Sequence, residues 1–370
     1  MYAFVKPHTS RRMPGMIFAL LLGIIAGALL FSPAENKERG ERHEALLPLV
    51  PGSGASVSSE PEPAEAEEDA PLSVTLPSPV ITVSVKGEPA EMELEDYLVG
   101  VVAGEMSASS EPEALMAQAV AARTFAALHM QGRASCKSSC TVCDDPGCCQ
   151  AYKSPAELES LWGQKYGENI EKIRAAVEGT KGLVAVYDGK LISALYHASS
   201  GPATESSEEV FAVALPYLVS VDSREGNSEM VTKQVFTAAE IVSLINAAYP
   251  EANMKLPLSE GDLDVWGRTE SGRVQLIRIG ETVIPGGALR KVLGLKSTAF
   301  EVKKDAGSVT FTCLGYGHGV GMSQTGANQM AKEGADFTEI LKHFYTGTEI
   351  VALDYEQTNA AGSPLRSCYH

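Results

Sequence analysis

Glu105 closes an apolar run, Val101-Val102-Ala103-Gly104, and is followed by Met106. A carboxyl set among such groups has its charged form desolvated, so its pKa is expected to rise and leave a proton to donate near neutral pH. The same residue facing water at a helix end would be an ordinary solvated glutamate. Arg123 is the only fixed charge between Leu115 and Met130, in a row containing Ala117, Ala119, Ala121, Ala122, Ala126 and Ala127. A guanidinium does not discharge, so in that row it needs a carboxylate, a carbonyl or a ligand. Two uses are open to it: a structural pair, or a hold on substrate oxygens beside Glu105.

Two further motifs carry polar side chains among small residues. YHASSG (Tyr196–Gly201) leads to Thr204, and GYGHGVGMSQTGA (Gly315–Ala327) presents His318, Ser323 and Gln324 on a glycine-dense path where bulky side chains would block approach. The second motif is neither a phosphate loop nor a dinucleotide fingerprint, and the chain holds no H-E-x-x-H zinc site or G-x-S-x-G nucleophile elbow. Histidines in such turns are more often structural than catalytic. Cysteines form a third group: Cys136, Cys140, Cys143, Cys148 and Cys149 fall in one fourteen-residue stretch. Such spacing serves disulfides in an exported protein, or offers four thiolates to a tetrahedral zinc. Cys313 is expected in the core and Cys368 in the tail.

The elements that must position these groups can be read from period and punctuation. VITVSVKG (Val80–Gly87) alternates as a strand should, and a helix over Leu94–Ala103 delivers Glu105. Glu95 and Asp96 sit where helix-start charges belong. Ser110-x-x-Glu113 and Ser154-x-x-Glu157 both have capping-box spacing, with the first opening a helix that runs to about Met130. LVAVYDGKLISALY (Leu183–Tyr196) reads as a hairpin about Asp188-Gly189. A helix over Ala238–Ala248, strands around Arg273–Ile279 and Ser308–Cys313, and a helix near Ser323–Lys332 follow. Helices interleave with antiparallel signals without a regular βαβ rhythm, which predicts an α+β fold, with mixed helices and hairpins forming a cleft.

Residues 1–15 carry Lys6, Arg11 and Arg12 and precede an uncharged apolar run, Met16–Phe31. With Ser32 and Pro33 this gives an expected transmembrane signal anchor over 16–33, the rest being translocated; a cleaved signal peptide is the alternative. Residues 34–78 collapse to Glu, Pro, Ser, Ala and Gly, with ten acids and three bases in 35–70. They read as a disordered acidic linker, ahead of a folded domain over 79–354 and a flexible tail over 355–370. A composition of 44% hydrophobic and 21% charged residues is that of a globular chain. The net charge of −17 argues against nucleic acid or an anionic membrane surface as partner.

VVAGEMSASSEPEALMAQAVAARTFA (Val101–Ala126) closely resembles the signature of the stage II sporulation protein D family, which includes amidase-enhancer proteins. YHASSGPAT, PYLVSVDS, LRKVLGLKSTAFEV and GYGHGVGMSQTGANQMA follow in the family's order, so the resemblance spans roughly Val80 to Leu353. It implies a lytic transglycosylase acting on peptidoglycan glycan strands stripped of stem peptides, with Glu105 as the catalytic residue. It also implies that Arg123, His197, Ser200, Gly201, Thr204, Tyr217, His318, Gly319, Gly321, Ser323 and Gln324 contact substrate. Pro202, Ser107 and Val219 depart from the family pattern, and a lysine contact is expected to be absent at Val219. VCDDPGCCQAY resembles a segment that binds zinc in some members, with Cys148 where a histidine stands, which favours structural zinc over disulfides. The resemblance further implies septal wall remodelling in the intermembrane space of a forming spore, beside the stage II sporulation proteins P (an amidase) and M. A non-catalytic wall-binding enhancer of an amidase is the alternative.

Overall fold

The computed structural model describes residues 73–226 and 230–356. Its first half contains β1 (Ser73–Leu76), β2 (Val80–Val85), β3 (Glu88–Glu93), α1 (Leu94–Glu105), α2 (Pro112–Met130) and β4 (Val142–Cys143). Next come α3 (Pro155–Trp162), α4 (Tyr166–Gly179), β5 (Leu183–Tyr187), β6 (Lys190–Leu191), β7 (Tyr196–His197) and α5 (Ser207–Phe211). A second group holds β8 (Val231–Thr237), α6 (Ala238–Ala248), β9 (Val265–Arg268), β10 (Val274–Ile279), β11 (Thr282–Pro285), α7 (Gly286–Leu293), β12 (Ala299–Asp305) and β13 (Ser308–Leu314). The chain then returns through β14 (Met322–Ser323), α8 (Gln324–Lys332), α9 (Phe337–Phe344) and β15 (Glu349–Tyr355). The fold is α+β, as the interleaved signals predict.

Helix α2 is the axis of the larger core. Its alanines and Leu115 are buried on every side, as expected of a helix with no charged face to present to water. Short side chains let α1, α4, α8, α9 and β5 approach it closely. One sheet has the order β1-β15-β5-β6, with β1 parallel to β15 and the β5–β6 hairpin turning at Asp188 and Gly189. Both turn residues have positive φ, 50° and 66°, the conformation that a tight hairpin turn requires. The second arm of that hairpin pairs over only Lys190 and Leu191, so the strand expected through Tyr196 is interrupted. A smaller core lies between α6, α7 and the two antiparallel sheets β11-β10-β9 and β12-β13-β8, around Ile241, Ile277, Phe300 and Phe311. Cys313 is buried in it, as expected.

Three expectations need correcting. Ser73–Leu76 is a strand with Val74 and Leu76 buried, because it adds to the edge of β15; the folded part therefore reaches into the stretch read as linker. Strand β15 runs to Tyr355, one residue past the expected boundary. Ser110 does not cap α2: the cap position is Glu111, with no side-chain bond, and Glu113 Oε2 instead accepts from the Phe337 amide at 2.9 Å. The second box forms as expected, Ser154 and Glu157 each bonding the other's backbone. The apolar run Met16–Phe31, the acidic stretch and Cys368 lie outside the described residues. Among the described residues no helix is long and apolar enough to cross a membrane.

Candidate active site

Glu105 is the last residue of α1, and the glycines one turn apart before it explain its setting. A Cβ at Gly100 would overlap the Tyr152 ring, and one at Gly104 would press on the Ala151 carbonyl. Without them the segment Gln150–Lys153 lies directly along the helix, Lys153 N donating to the Gly100 carbonyl at 3.1 Å. That places the Ala151 amide 2.7 Å from Glu105 Oε1. Tyr196 Oη lies 3.4 Å from the same oxygen and Gln324 Nε2 lies 3.5 Å from Oε2. The tyrosine has one proton, and Gln150 Oε1 at 2.8 Å is its nearer acceptor; Gln150 Nε2 donates in turn to Tyr97. Burial raises the Glu105 pKa, and the contacts from Ala151, Gln324 and Tyr196 only partly offset it. The direction expected from its apolar neighbours therefore holds.

The carboxyl opens into a cavity of ≈ 490 Å³ lined also by Phe125, Gln150, Tyr196, His197, Arg290, Tyr316, His318 and Gln324. Glu105 is the one acidic residue in that lining. Strands β7 and β14 pair in parallel, bringing Tyr196 and His197 beside Met322 and Ser323 and so joining the two polar motifs. His197 Nδ1 lies 3.1 Å from the Val320 carbonyl, so it carries the proton and Nε2 accepts from Ser200 Oγ. Val320 N donates to His318 Nδ1 at 3.1 Å. Burial, with the neighbouring His318 ring and the Arg273 charge, holds His197 well below its usual range; burial, with Arg290 and Arg273, pushes His318 down to about 4. Both rings are neutral near pH 7. They can orient a ligand but do not compete with Glu105 as acids.

Of the residues expected to touch substrate, His197, His318 and Gln324 line the cavity and the others do not. Ser200, Gly201 and Ser323 are held from behind by the buried Glu225, whose carboxylate accepts from Ser199 Oγ at 2.5 Å, Ser323 Oγ at 2.6 Å and the Ser200 amide. Thr204 is fully buried and locked to Val221, whose amide donates to its Oγ1 at 2.9 Å. Tyr217 uses its hydroxyl to accept from the Ser193 amide, 3.1 Å away, and packs on Tyr187. Gly319 lies against the Arg273 guanidinium and Gly321 against the Leu195 carbonyl, where any Cβ would collide. These residues shape the loops that carry the site. Gln150, Tyr196, Arg290 and Tyr316 were missed because their partners lie far along the chain; the glycine pair at 100 and 104 was the available signal for Gln150.

Arg123 is the largest correction. It is fully buried and faces away from the cavity, donating from Nε and Nη2 to the two oxygens of Glu95 at 2.9 and 2.6 Å and to the carbonyls of Leu183 and Val177. Four of its five N–H groups are taken by protein acceptors, and it is absent from the lining of the Glu105 cavity. Glu95, expected only as a helix-start charge, is its partner.

Four of the five clustered cysteines converge. The sulfurs of Cys136, Cys143, Cys148 and Cys149 all lie within 4.8 Å of one another, and Cys140 is not among them. The Cys136–Cys148 and Cys148–Cys149 separations are both 3.8 Å. A disulfide would need roughly 2.05 Å. Ligands at about 2.3 Å around a tetrahedral centre stand about 3.8 Å apart. Burial pushes the Cys143 thiol up to about 11 and raises Cys149 as well. Cys136 goes the other way, to about 7, lowered against burial by its Ser138 hydrogen bonds; a cation would offset the charge of the thiolates together. Cys149 also lines the Glu105 cavity.

A family model described as "Stage II sporulation protein" matches residues 86–187, a span that holds Glu105, Arg123 and the cysteine cluster. The chain is 36% identical to the stage II sporulation protein D of Bacillus subtilis over 348 residues, 91% of this chain and 96% of that one. It is 36% identical to the protein of the same name from Bacillus amyloliquefaciens, over 84% of this chain and 91% of the relative. An amidase enhancer of Bacillus subtilis is 30% identical over 69% of this chain and 40% of its own length.

Proposed function

Because the chain belongs to the stage II sporulation protein D family, we propose that it is a sporulation enzyme, a lytic transglycosylase that cleaves the glycan strands of peptidoglycan. The observation that carries this reading is a single half-buried carboxyl of raised pKa in a cleft whose lining holds no second carboxylate. A retaining or inverting glycosidase needs two carboxyl groups. Intramolecular attack needs one. Glu105 gives its proton to the glycosidic oxygen as the bond from C1 breaks. The C6 hydroxyl of the same sugar then bonds to C1 and returns its proton to the Glu105 carboxylate. No water is consumed, and the product ends in a 1,6-anhydro ring. Holding the nucleophile within the substrate supplies the proximity that a second protein group would otherwise provide. Gln324, Tyr196 and the Ala151 amide orient the carboxyl, and Tyr316 offers an exposed aromatic face to a sugar.

The cysteine cluster fits a structural zinc held by Cys136, Cys143, Cys148 and Cys149. Zinc there would stiffen the segment between α2 and α3, whose next residues are Gln150 and Ala151, the contacts of the site. The apolar run Met16–Phe31 would anchor the protein in the membrane with the catalytic domain outside the cytoplasm. The stage II sporulation proteins P and M are the partners expected there.

Glu105→Gln tests the central claim. Stripped glycan strands incubated with the full chain are expected to yield anhydro ends, and the variant none while remaining folded. Anhydro ends released by the variant at the parental rate would overturn the assignment. The 30% relationship to an amidase enhancer supports a second reading, a wall-binding activator. That reading gains if the parental protein yields no anhydro ends but accelerates an amidase.

A further inference from the structure

We propose that Arg290 forms a carboxylate subsite in the Glu105 cleft, and that its ligand is the free lactyl carboxylate of a muramic acid whose stem peptide has been removed. This rests on the glycan-cleaving reading above and adds the group that would select the substrate.

Arg290 lies in the last turn of α7 and lines two cavities that share it and His318. One is the Glu105 cleft; the other, of ≈ 370 Å³, is also lined by Arg273 and Glu205. Arg290 makes one hydrogen bond, from Nε to the Leu295 carbonyl at 3.2 Å. Among the described residues neither of its Nη atoms has a protein acceptor, and it has no ion pair. Arg290 is half-buried, which presses its pKa down while the guanidinium stays charged, so its Nη groups are left to water or to whatever enters the cleft.

Arg273 is 2% exposed and gives Nη2 to the Ser200 carbonyl at 2.7 Å, while its Nε and Nη1 have no partner. Glu205 and Glu225 lie close enough to favour the charged form of Arg273, whereas no carboxylate among the described residues does so for Arg290. Glu205 accepts from Thr269 and Ser271 hydroxyls at 2.6 and 2.8 Å, and Glu225 from the serine and amide donors already described. Glu209 accepts from Gln275 at 2.8 Å. Arg290, with no ion pair of its own among the described residues, is the guanidinium left for an anion, and the planar fork of arginine suits a carboxylate in particular. His318, neutral beside it, adds no charge.

On a glycan strand the lactyl group of each muramic residue ends in a carboxylate when bare and in an amide when a stem peptide is attached. Only the bare form carries the charge that Arg290 lacks. Preference for stripped strands then follows from charge pairing as well as from steric access.

The full chain carrying Glu105→Gln, which cannot turn over, is titrated with N-acetylmuramic acid and with its lactyl amide. The acid is expected to bind more tightly, and adding Arg290→Gln to weaken the acid by roughly tenfold to a hundredfold while leaving the amide unchanged. Arg290→Lys should restore part of the difference, since it keeps the charge and loses the fork. Equal binding of acid and amide by the protein with Arg290 intact overturns the subsite, and needs no arginine variant to fold. Equal weakening of both ligands by Arg290→Gln overturns it also. Turnover separates this inference from the one it rests on. Anhydro ends formed as fast from amidated strands as from bare ones defeat the subsite and leave the enzyme standing. An Arg290-dependent preference for the acid in a protein that forms no anhydro ends supports the subsite and defeats the transglycosylase.

Discussion

Helix α1 carries a carboxylate near each end, and the two are treated in opposite ways. Glu95 gives both oxygens to the Arg123 fork, while Nη1 of that arginine donates to the Leu183 carbonyl and Nη2 also to that of Val177. Glu105 has one good donor, the Ala151 amide, two contacts at 3.4 and 3.5 Å, and among the described residues no cation in ion-pair reach. One end commits its hydrogen-bonding capacity to joining α1, α2 and β5. The other leaves a proton-carrying group poorly solvated beside a cleft. A closed network stabilises, whereas a group whose needs are unmet until a ligand arrives can do chemistry.

Exchanging the treatments should break the contrast most visibly in activity. General acid–base catalysis contributes roughly 10²–10⁴-fold, so Glu105→Gln should lower the release of anhydro ends by at least that much. Glu95→Gln should leave the cleft's chemistry intact and act through stability. Next in size is the sealed end. Removing one partner of a buried pair costs about 3–5 kcal/mol because a charge is left uncompensated. Arg123→Met should therefore lower the denaturant midpoint strongly, and Glu95→Gln at least as much, since it strands a fully buried guanidinium whereas Glu95 is 21% exposed and can reach water. A variant of wild-type stability with lost activity would return Arg123 to the substrate.

The cysteine cluster sharpens the contrast from a third side, since it is closed by a metal if by anything. The purified protein should contain one zinc, and Cys143→Ser or Cys149→Ser should lose it while Cys140→Ser retains it, as read by metal analysis. Zinc at a hundredfold above its Kd stabilises by about 2.7 kcal/mol, so chelation should lower the melting temperature. Zinc-free protein with full thermal stability would defeat the assignment.

What could be read beforehand follows the same division. Local signals held. Asp188-Gly189 turned where two positive φ angles are tolerated, Ser154 and Glu157 capped a helix, and the neighbours of Glu105 gave the direction of its pKa shift. Local signals failed where a distant group outbid them. Glu113 was taken by the Phe337 amide, 224 residues away, so its capping box did not form. The alanine row around Arg123 shows that it needs an acceptor but not which one, a structural partner or substrate oxygens; the acceptor is Glu95, at the opposite end of α1 from Glu105. Glu225 and Arg290 gave no local sign, since Glu225 acquires its setting from serines of both polar motifs and Arg290 from a cavity lined by residues far along the chain. The α+β class and the apolar setting of Glu105 were legible, while the arrangement around the carboxyl is a product of long-range packing.

The smallest expected effect tests the contrast at its physical root. Burial raises the folded-state pKa of Glu105, so the folded protein holds that proton more tightly than the unfolded chain does. The stability this contributes is fully present below the ordinary glutamate pKa and is lost as pH rises through the raised value. Above that value the ionised carboxyl is a burden on the fold. Glutamine keeps the uncharged shape at every pH, and its carbonyl can still accept from Ala151. Glu105→Gln should therefore match the parent in stability at acid pH and gain on it as pH climbs through the shifted pKa, with the difference levelling beyond. Urea midpoints across pH 4 to 8 measure this directly. A variant less stable than the parent by a constant amount would mean that the Ala151 amide and its neighbours favour the anion after all, and the end of α1 would then be as closed as its beginning.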